Sequence, residues 1–292
     1  MNKKIFALIM TVFLAGSVSA QNAFDYLKDS LINVLTVSTL MQVTDYEYNG
    51  QNAIWGTYLE PGKSISLSAQ YDAGIEYLML ASAHTENREI HLKVYNGQGT
   101  RGTVIAKDTA PDAAPVVRFK PVAAGWHTFE LRNVSNQPSF VSLVVLKNKR
   151  NANFSFDTLV EALSNTLTIS QHIAQLIPDG SEIPANKWTL FGGSVRQNGN
   201  AGYYNTQLSR GNYILVGAAE NSVKNCDVEV IEQYNSGNTE GRYISQNTGS
   251  EYPFDFAAFS SGSSSKYHFI KVNNQNSLNP GSLLFGFLIM AK

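Results

Sequence analysis

The stretch FDYLKDSLINVLTVS (24–38) returns as FDTLVEALSNTLTIS (156–170), and eight of the fifteen positions are identical. The shared residues are Phe24, Asp25, Leu27, Leu31, Asn33, Leu35, Thr36 and Ser38. A repeat 132 positions long is too long for a solenoid unit and reads as a whole module made twice. The correspondence continues downstream. EYLMLASAH around Tyr77 answers NYILVGAAE around Tyr213, and EIHLKVY (89–95) answers NCDVEVI (225–231). GWHTFEL (125–131) answers KYHFIKV (266–272), and each copy ends in an apolar run, FVSLVVLK from Phe140 and LLFGFLIMAK from Leu283. The offset drifts from 132 to 136 to 141, as insertions in surface loops would make it.

Each copy opens with helical spacing. Phe24, Leu27, Leu31, Val34 and Leu35 share a stripe, as do Phe156, Leu159, Leu163, Leu167 and Ile173. Asp25 and Asp157 stand at the helix entrances, where a carboxylate meets free N–H groups and the positive dipole end. That explains their repetition without catalysis. Beyond the helices the period changes to two: Tyr77, Met79, Ala81 and Ala83 share a face, and so do Ile90, Leu92 and Val94. Turn signals separate these runs at Pro61, Asn96, Ala110, Gly192 and Asn235. The expected fold is therefore mainly β: two tandem antiparallel β-sandwich or jelly-roll domains, each with an N-terminal amphipathic helix. The polar stretch KNKRNANFS (147–155) joins them. The expected division is a signal peptide at 1–20, one repeat at 21–149 and a second at 150–292.

The N-terminus predicts export. Lys3 and Lys4 precede the apolar run IFALIMTVFLAG, and SVSA follows in an A-x-A-like pattern, with cleavage expected after Ala20. That run is too short to span a bilayer, and no later segment reaches eighteen apolar residues, so no transmembrane segment is expected in the mature chain. The single cysteine, Cys226, can form no internal disulfide, which suits a bacterial periplasm or exterior. It reads as a small buried apolar residue rather than a reactive thiol. Only 15% of residues are charged and the formal net charge is −1. Such a surface has no means of attracting nucleic acid or anionic membranes.

Glu89, His91, Leu92, Val94, Tyr95, Asn96 and Gly99, with Asn225, Asp227, Val228 and Val230 in the second copy, carry a family resemblance. About two thirds of each copy resembles the bacterial pre-peptidase C-terminal (PPC-like) β-sandwich domains. The paired Asp of that pattern is replaced in both copies, and the leading helix lies outside it. The resemblance implies an accessory, non-catalytic module.

No residue is nominated as catalytic. The five histidines make no HExxH pattern, and no GxSxG elbow or Gly-rich phosphate loop occurs. His127 and His268 occupy the same repeat position and read as core or rim histidines. Glu89, Asp108, Asp112 and Asp227 are the candidate Ca²⁺ ligands, through oxygen donors crowded at the sandwich ends. Among aromatics, Trp55 and Trp188 look equivalent and read as structural plugs. Tyr203 and Tyr204, in a Gly/Asn-rich stretch, and Trp126 are the candidate ligand-stacking residues.

Three functions follow. A secreted binding or adhesion module predicts saturable affinity for a polysaccharide, with duplication serving avidity. A cell-envelope assembly component predicts helices that pack on a partner. A hydrolase with an unrecognised site predicts turnover.

Overall fold

The computed structural model describes residues 29–35, 46–50, 52–148, 156–175, 188–235, 240–249, 252–262, 266–279 and 281–291. Residues 1–20, expected to be a signal peptide, Phe24, Asp25 and positions 149–155 of the joining stretch lie outside the described residues. Helix α1 covers residues 29–35 and α2 covers Phe156–Gln175. Apart from the short β1 (Glu47–Tyr48), the first half contributes β2 (Ile54–Leu59), β3 (Ser64–Tyr71), β4 (Tyr77–Ala83), β5 (Ile90–Asn96), β6 (Val104–Asp108), β7 (Val116–Phe119), β8 (Gly125–Asn133) and β9 (Ser139–Lys147). The second half contributes β10 (Trp188–Val195), β11 (Gly199–Gln207), β12 (Gly211–Ala219), β13 (Val223–Gln233), β14 (Gly241–Asn247), β15 (Phe254–Ser261), β16 (Tyr267–Ser277) and β17 (Ser282–Ala291).

All pairings are antiparallel, and the order in space is that of a jelly roll. In the first half, β2-β9-β4-β7 form one sheet and β3-β8-β5-β6 the other. In the second half the same order recurs as β10-β17-β12-β15 and β11-β16-β13-β14. The two halves do not close as separate sandwiches. β2 pairs with β10 and β3 with β11, so each sheet runs on through the seam, giving a nine-stranded sheet over an eight-stranded one.

The seam register is symmetric. Trp55 lies opposite Phe191, and Ser68 opposite Tyr204. Both pairs are 136 positions apart, the offset that relates Tyr77 to Tyr213. A local two-fold therefore passes through both pairs. This corrects one equivalence expected from the sequence: the counterpart of Trp55 is Phe191, whereas Trp188 starts β10 opposite Ile289. The attraction of a second tryptophan in roughly the right place hid the better match of IWG (54–56) with LFG (190–192).

Two apolar layers result. Between the sheets, Trp55, Leu67, Phe129, Phe191, Tyr203, Val228 and Ile270 belong to one continuous core. Outside the nine-stranded sheet, Leu31, Val34 and Leu35 of α1 and Leu159, Ala162 and Leu163 of α2 pack on Leu80, Phe140, Val144, Val216, Phe285 and Phe287. The helices thus bury their stripes on their own sheet. This second layer also explains the apolar runs in β9 and β17. A strand covered on both faces needs apolar residues at consecutive positions, whereas the strands of the eight-stranded sheet alternate. Where β9 places a serine in the helix layer, α1 answers it: Ser30 and Ser142 hydroxyls lie 2.6 Å apart.

Candidate functional site

The residues singled out in the sequence go to different places. Tyr203 is not on a loop surface. It lies in β11 and is buried at the seam, with its ring 5.7 Å from that of Trp55 and 6.2 Å from Phe191. Asn198 at positive φ turns the chain into β11, and alternation then sends Ala201 and Tyr203 into the core. The Gly/Asn composition that suggested a loop belongs to a strand squeezed between β16 and β3. The side chain of Tyr204 lies outside the described residues. Trp126 is half-buried on the outer face of the eight-stranded sheet, beside Gln70.

The four proposed Ca²⁺ ligands are not brought together. Glu89 accepts from His91 Nε2 at 2.9 Å. Asp108 accepts backbone N–H groups of Ala110 and Val116, and Asp112 that of Ala114. These are loop-forming aspartates whose oxygens are used by their own turns. Asp227 sits in β13 of the other half. Among the described residues no group of His, Cys, Asp and Glu is arranged to hold a metal ion.

His127 and His268 are both buried. His127 Nδ1 lies 3.1 Å from the Gly125 carbonyl, and its ring meets Tyr71 and Phe119. Burial lowers the pKa of His268. Cys226 is fully buried, and burial pushes its thiol well up, which makes it inert as a nucleophile.

Exposed aromatic rings gather elsewhere. Tyr234, Tyr243, Tyr252, Phe254 and Phe256 are the exposed aromatics among the described residues, and all five belong to the β13–β15 end of the second half. The exposed large apolar residues of the first half are valines and an isoleucine. Three of the five rings form a strip. Phe254 and Phe256 share the outer face of β15, and Tyr252 continues the line, its ring 5.8 Å from that of Phe254 at 31°. Exposures of 61%, 38% and 46% for Tyr252, Phe254 and Phe256 leave all three faces open to solvent.

The strip exists because β15 lies beyond the reach of α2. That helix packs on β12 and β17, and the outward residues of β12, Ile214 and Val216, are covered by it. Phe256 lies opposite Val216 and Phe254 opposite Ala218, one strand further out. Facing the core instead are Asp255, Ala257 and Phe259. At the far end of the strand Ser260 Oγ donates to Asn212 Oδ1 at 2.7 Å. No charged side chain shares the outward face of β15.

The first half differs at the same place. There Val116 lies opposite Leu80 as Phe256 lies opposite Val216. Its neighbour Arg118 stands over the Tyr46 ring at 5.9 Å and 3.6 Å from Glu76, which also accepts from the Tyr46 hydroxyl. One edge is closed by a charged cluster and the other shows bare rings. Sequence reasoning missed the strip, although YPFDFAAFS (252–260) carries its signal: aromatic residues at i, i+2 and i+4. Asp255 lies on the face that turns inward and the rings lie on the other, so alternation points to the wrong face as the covered one.

No family model matches the chain, and no curated protein matches it. Among solved structures, the PBSX exported protein XepA is 12% identical over 84% of this chain and 86% of its own, with a TM-score of 0.25. The tandem CBM51 modules of Sp3GH98, a family 98 glycoside hydrolase from Streptococcus pneumoniae, are 13% identical over 81% and 83%, with a TM-score of 0.25. The Yersinia pseudotuberculosis-derived mitogen is 14% identical over 37% of this chain and 93% of its own, with a TM-score of 0.29. At such scores these likenesses assign neither a family nor a ligand.

Proposed function

We propose that this chain is an exported, non-enzymatic binding protein that holds a polysaccharide on the strip formed by Tyr252, Phe254 and Phe256. The observation that carries the reading is the gathering of uncovered rings at one end of the second half. A pyranose ring presents an apolar C–H face and an edge of hydroxyls. Aromatic faces complement the former, and uncharged polar groups the latter. Tyr252 supplies such a group beside the phenylalanines, and Ser260 and Asn212 supply them at the far end of the strand. Three rings in line suit an extended polymer better than a single sugar, because residues at i and i+2 on a strand lie about 7 Å apart. The second half is the ligand-bearing one, and the first is its support.

The experiment is retention of purified 21–292 on insoluble polysaccharides and on cell-envelope fractions, compared with a Phe254→Ala/Phe256→Ala variant. Saturable retention on a polysaccharide that weakens at least about tenfold in the variant supports the reading. Retention on envelope material alone, unchanged in the variant, overturns it in favour of an assembly role.

A further inference from the structure

We propose that acidity regulates this strip through Asp255, the residue between its two phenylalanines, which latches the outermost strands of the two sheets together. The inference rests on reading the strip as the binding surface. Asp255 points away from solvent, into the space between the sheets, and is 3% exposed. Its neighbour across β12 is Gly217, which offers no side chain there; a Cβ at Gly217 would collide with Val228 and Val272. From β14, Asn247 Nδ2 donates to Asp255 Oδ1 and lies 3.4 Å from the Phe256 carbonyl. The Phe256 N–H also donates to Asp255 Oδ1, at 2.8 Å. Ser245 Oγ donates to the Ala258 carbonyl at 2.9 Å. β14 and β15 are edge strands of different sheets, so these bonds close the open end of the sandwich.

The latch is complete on one side only. Among the described residues Asp255 Oδ2 is buried with no hydrogen-bond partner, and so is Asp227 Oδ1. The titratable groups facing Asp255 are Asp227 and Cys226 of β13; β14 presents Asn247 and β12 presents Gly217. Among the described residues no cation acts on it. Burial raises its carboxyl to about 6, the Phe256 N–H and Asn247 pull the other way, and Asp227 adds to the rise. Below that pH the carboxyl is neutral and sits well between the sheets. Above it a negative charge with an unpartnered oxygen occupies the same place, beside a second carboxylate. Drawing β14 and β15 apart lets water reach the charge. β15 is held by β12 alone within its sheet, so this opening moves Phe254 and Phe256.

The test has two readouts, taken at about pH 5 and about pH 7.5. One is polysaccharide retention. The other is hydrogen exchange of the 254–261 amides, corrected for intrinsic rate. For the wild-type protein, retention and protection both fall by about tenfold or more at the higher pH. In Asp255→Asn, which keeps an acceptor and loses the charge, both stay level. Asn247→Ala breaks the latch from the other strand and lowers protection at both pH values. Equal wild-type protection at the two pH values overturns the proposal, as does an unchanged pH profile in Asp255→Asn. If no polysaccharide is retained at either pH, the strip's function fails while the exchange data still decide the latch.

Discussion

Asn33 and Asn165 make the same hydrogen bond in the two halves: each donates Nδ2 to the carbonyl that ends the equivalent strand, Ala83 in β4 and Ala219 in β12, at 3.3 Å. The repeated asparagine therefore ties each helix to its sheet. Alanine at either position removes that bond, although the Ala83 carbonyl still accepts from the Ser82 hydroxyl at 3.0 Å. The expected loss is about 1 kcal/mol at Asn165 and less at Asn33, additive in the double variant because the sites are far apart. Urea unfolding of the single and double variants measures it, and aspartate, which cannot donate, must fail to rescue.

Phe191 and Gly286 are partners across β10 and β17, and a Cβ on Gly286 would lie 2.3 Å from Phe191 Cζ. Gly286→Ala is expected to destabilise by about 1–3 kcal/mol through overpacking. Phe191→Leu shortens the colliding ring, so the double variant recovers part of that loss. Thermal unfolding of the four proteins gives the coupling directly.

Tyr203 and Phe256 separate stability from binding. Tyr203→Ala empties the seam and costs about 3–5 kcal/mol. Phe256→Ala removes an exposed ring and changes stability by no more than about 0.5 kcal/mol. Polysaccharide retention is expected to follow the opposite order once each variant is folded. A calorimetric scan alongside a retention assay checks both.

His268 and Asp255 give opposite pH dependences. The His268 pKa is lowered by burial, so its contribution is present above the unfolded value of 6.5 and is lost as pH falls. The Asp255 carboxyl is raised from 3.8 to about 6, so its contribution is present below 3.8 and is lost as pH rises through about 6. Both dependences lie below 6.5 with opposite sign: His268→Gln is expected to remove a loss of stability on acidification, and Asp255→Asn a loss as pH rises from 3.8 to about 6. Chemical denaturation across that range resolves the two.

The sandwich was legible because alternation, turn residues and the repeat all pointed the same way. The helix stripes were equally plain, since Leu31 and Leu163 recur at one position and are both buried. What escaped was the seam. Nothing in IWGTYL (54–59) distinguishes a strand that ends its sheet from one that continues it, because backbone pairing leaves no mark on side-chain period. Tyr203 was misplaced for the same reason: its Gly/Asn neighbours suit both a loop and a crowded strand. The strip was missed because exposure of an apolar face depends on how far α2 reaches, which is a tertiary fact.

The seam also constrains what this chain can pair with. In a dimer of identical subunits the residue on the two-fold must meet itself. Here Trp55 meets Phe191, and the residues at the related positions 67 and 203 are Leu and Tyr. The bulk is exchanged: a large ring with a small neighbour on one side, a smaller ring with a large neighbour on the other. Two first halves would bring two indoles to one place, and two second halves would bring two tyrosines into a space shaped for one. Each half is thus complementary to the other and mismatched to itself, so the seam discriminates against pairing of like halves.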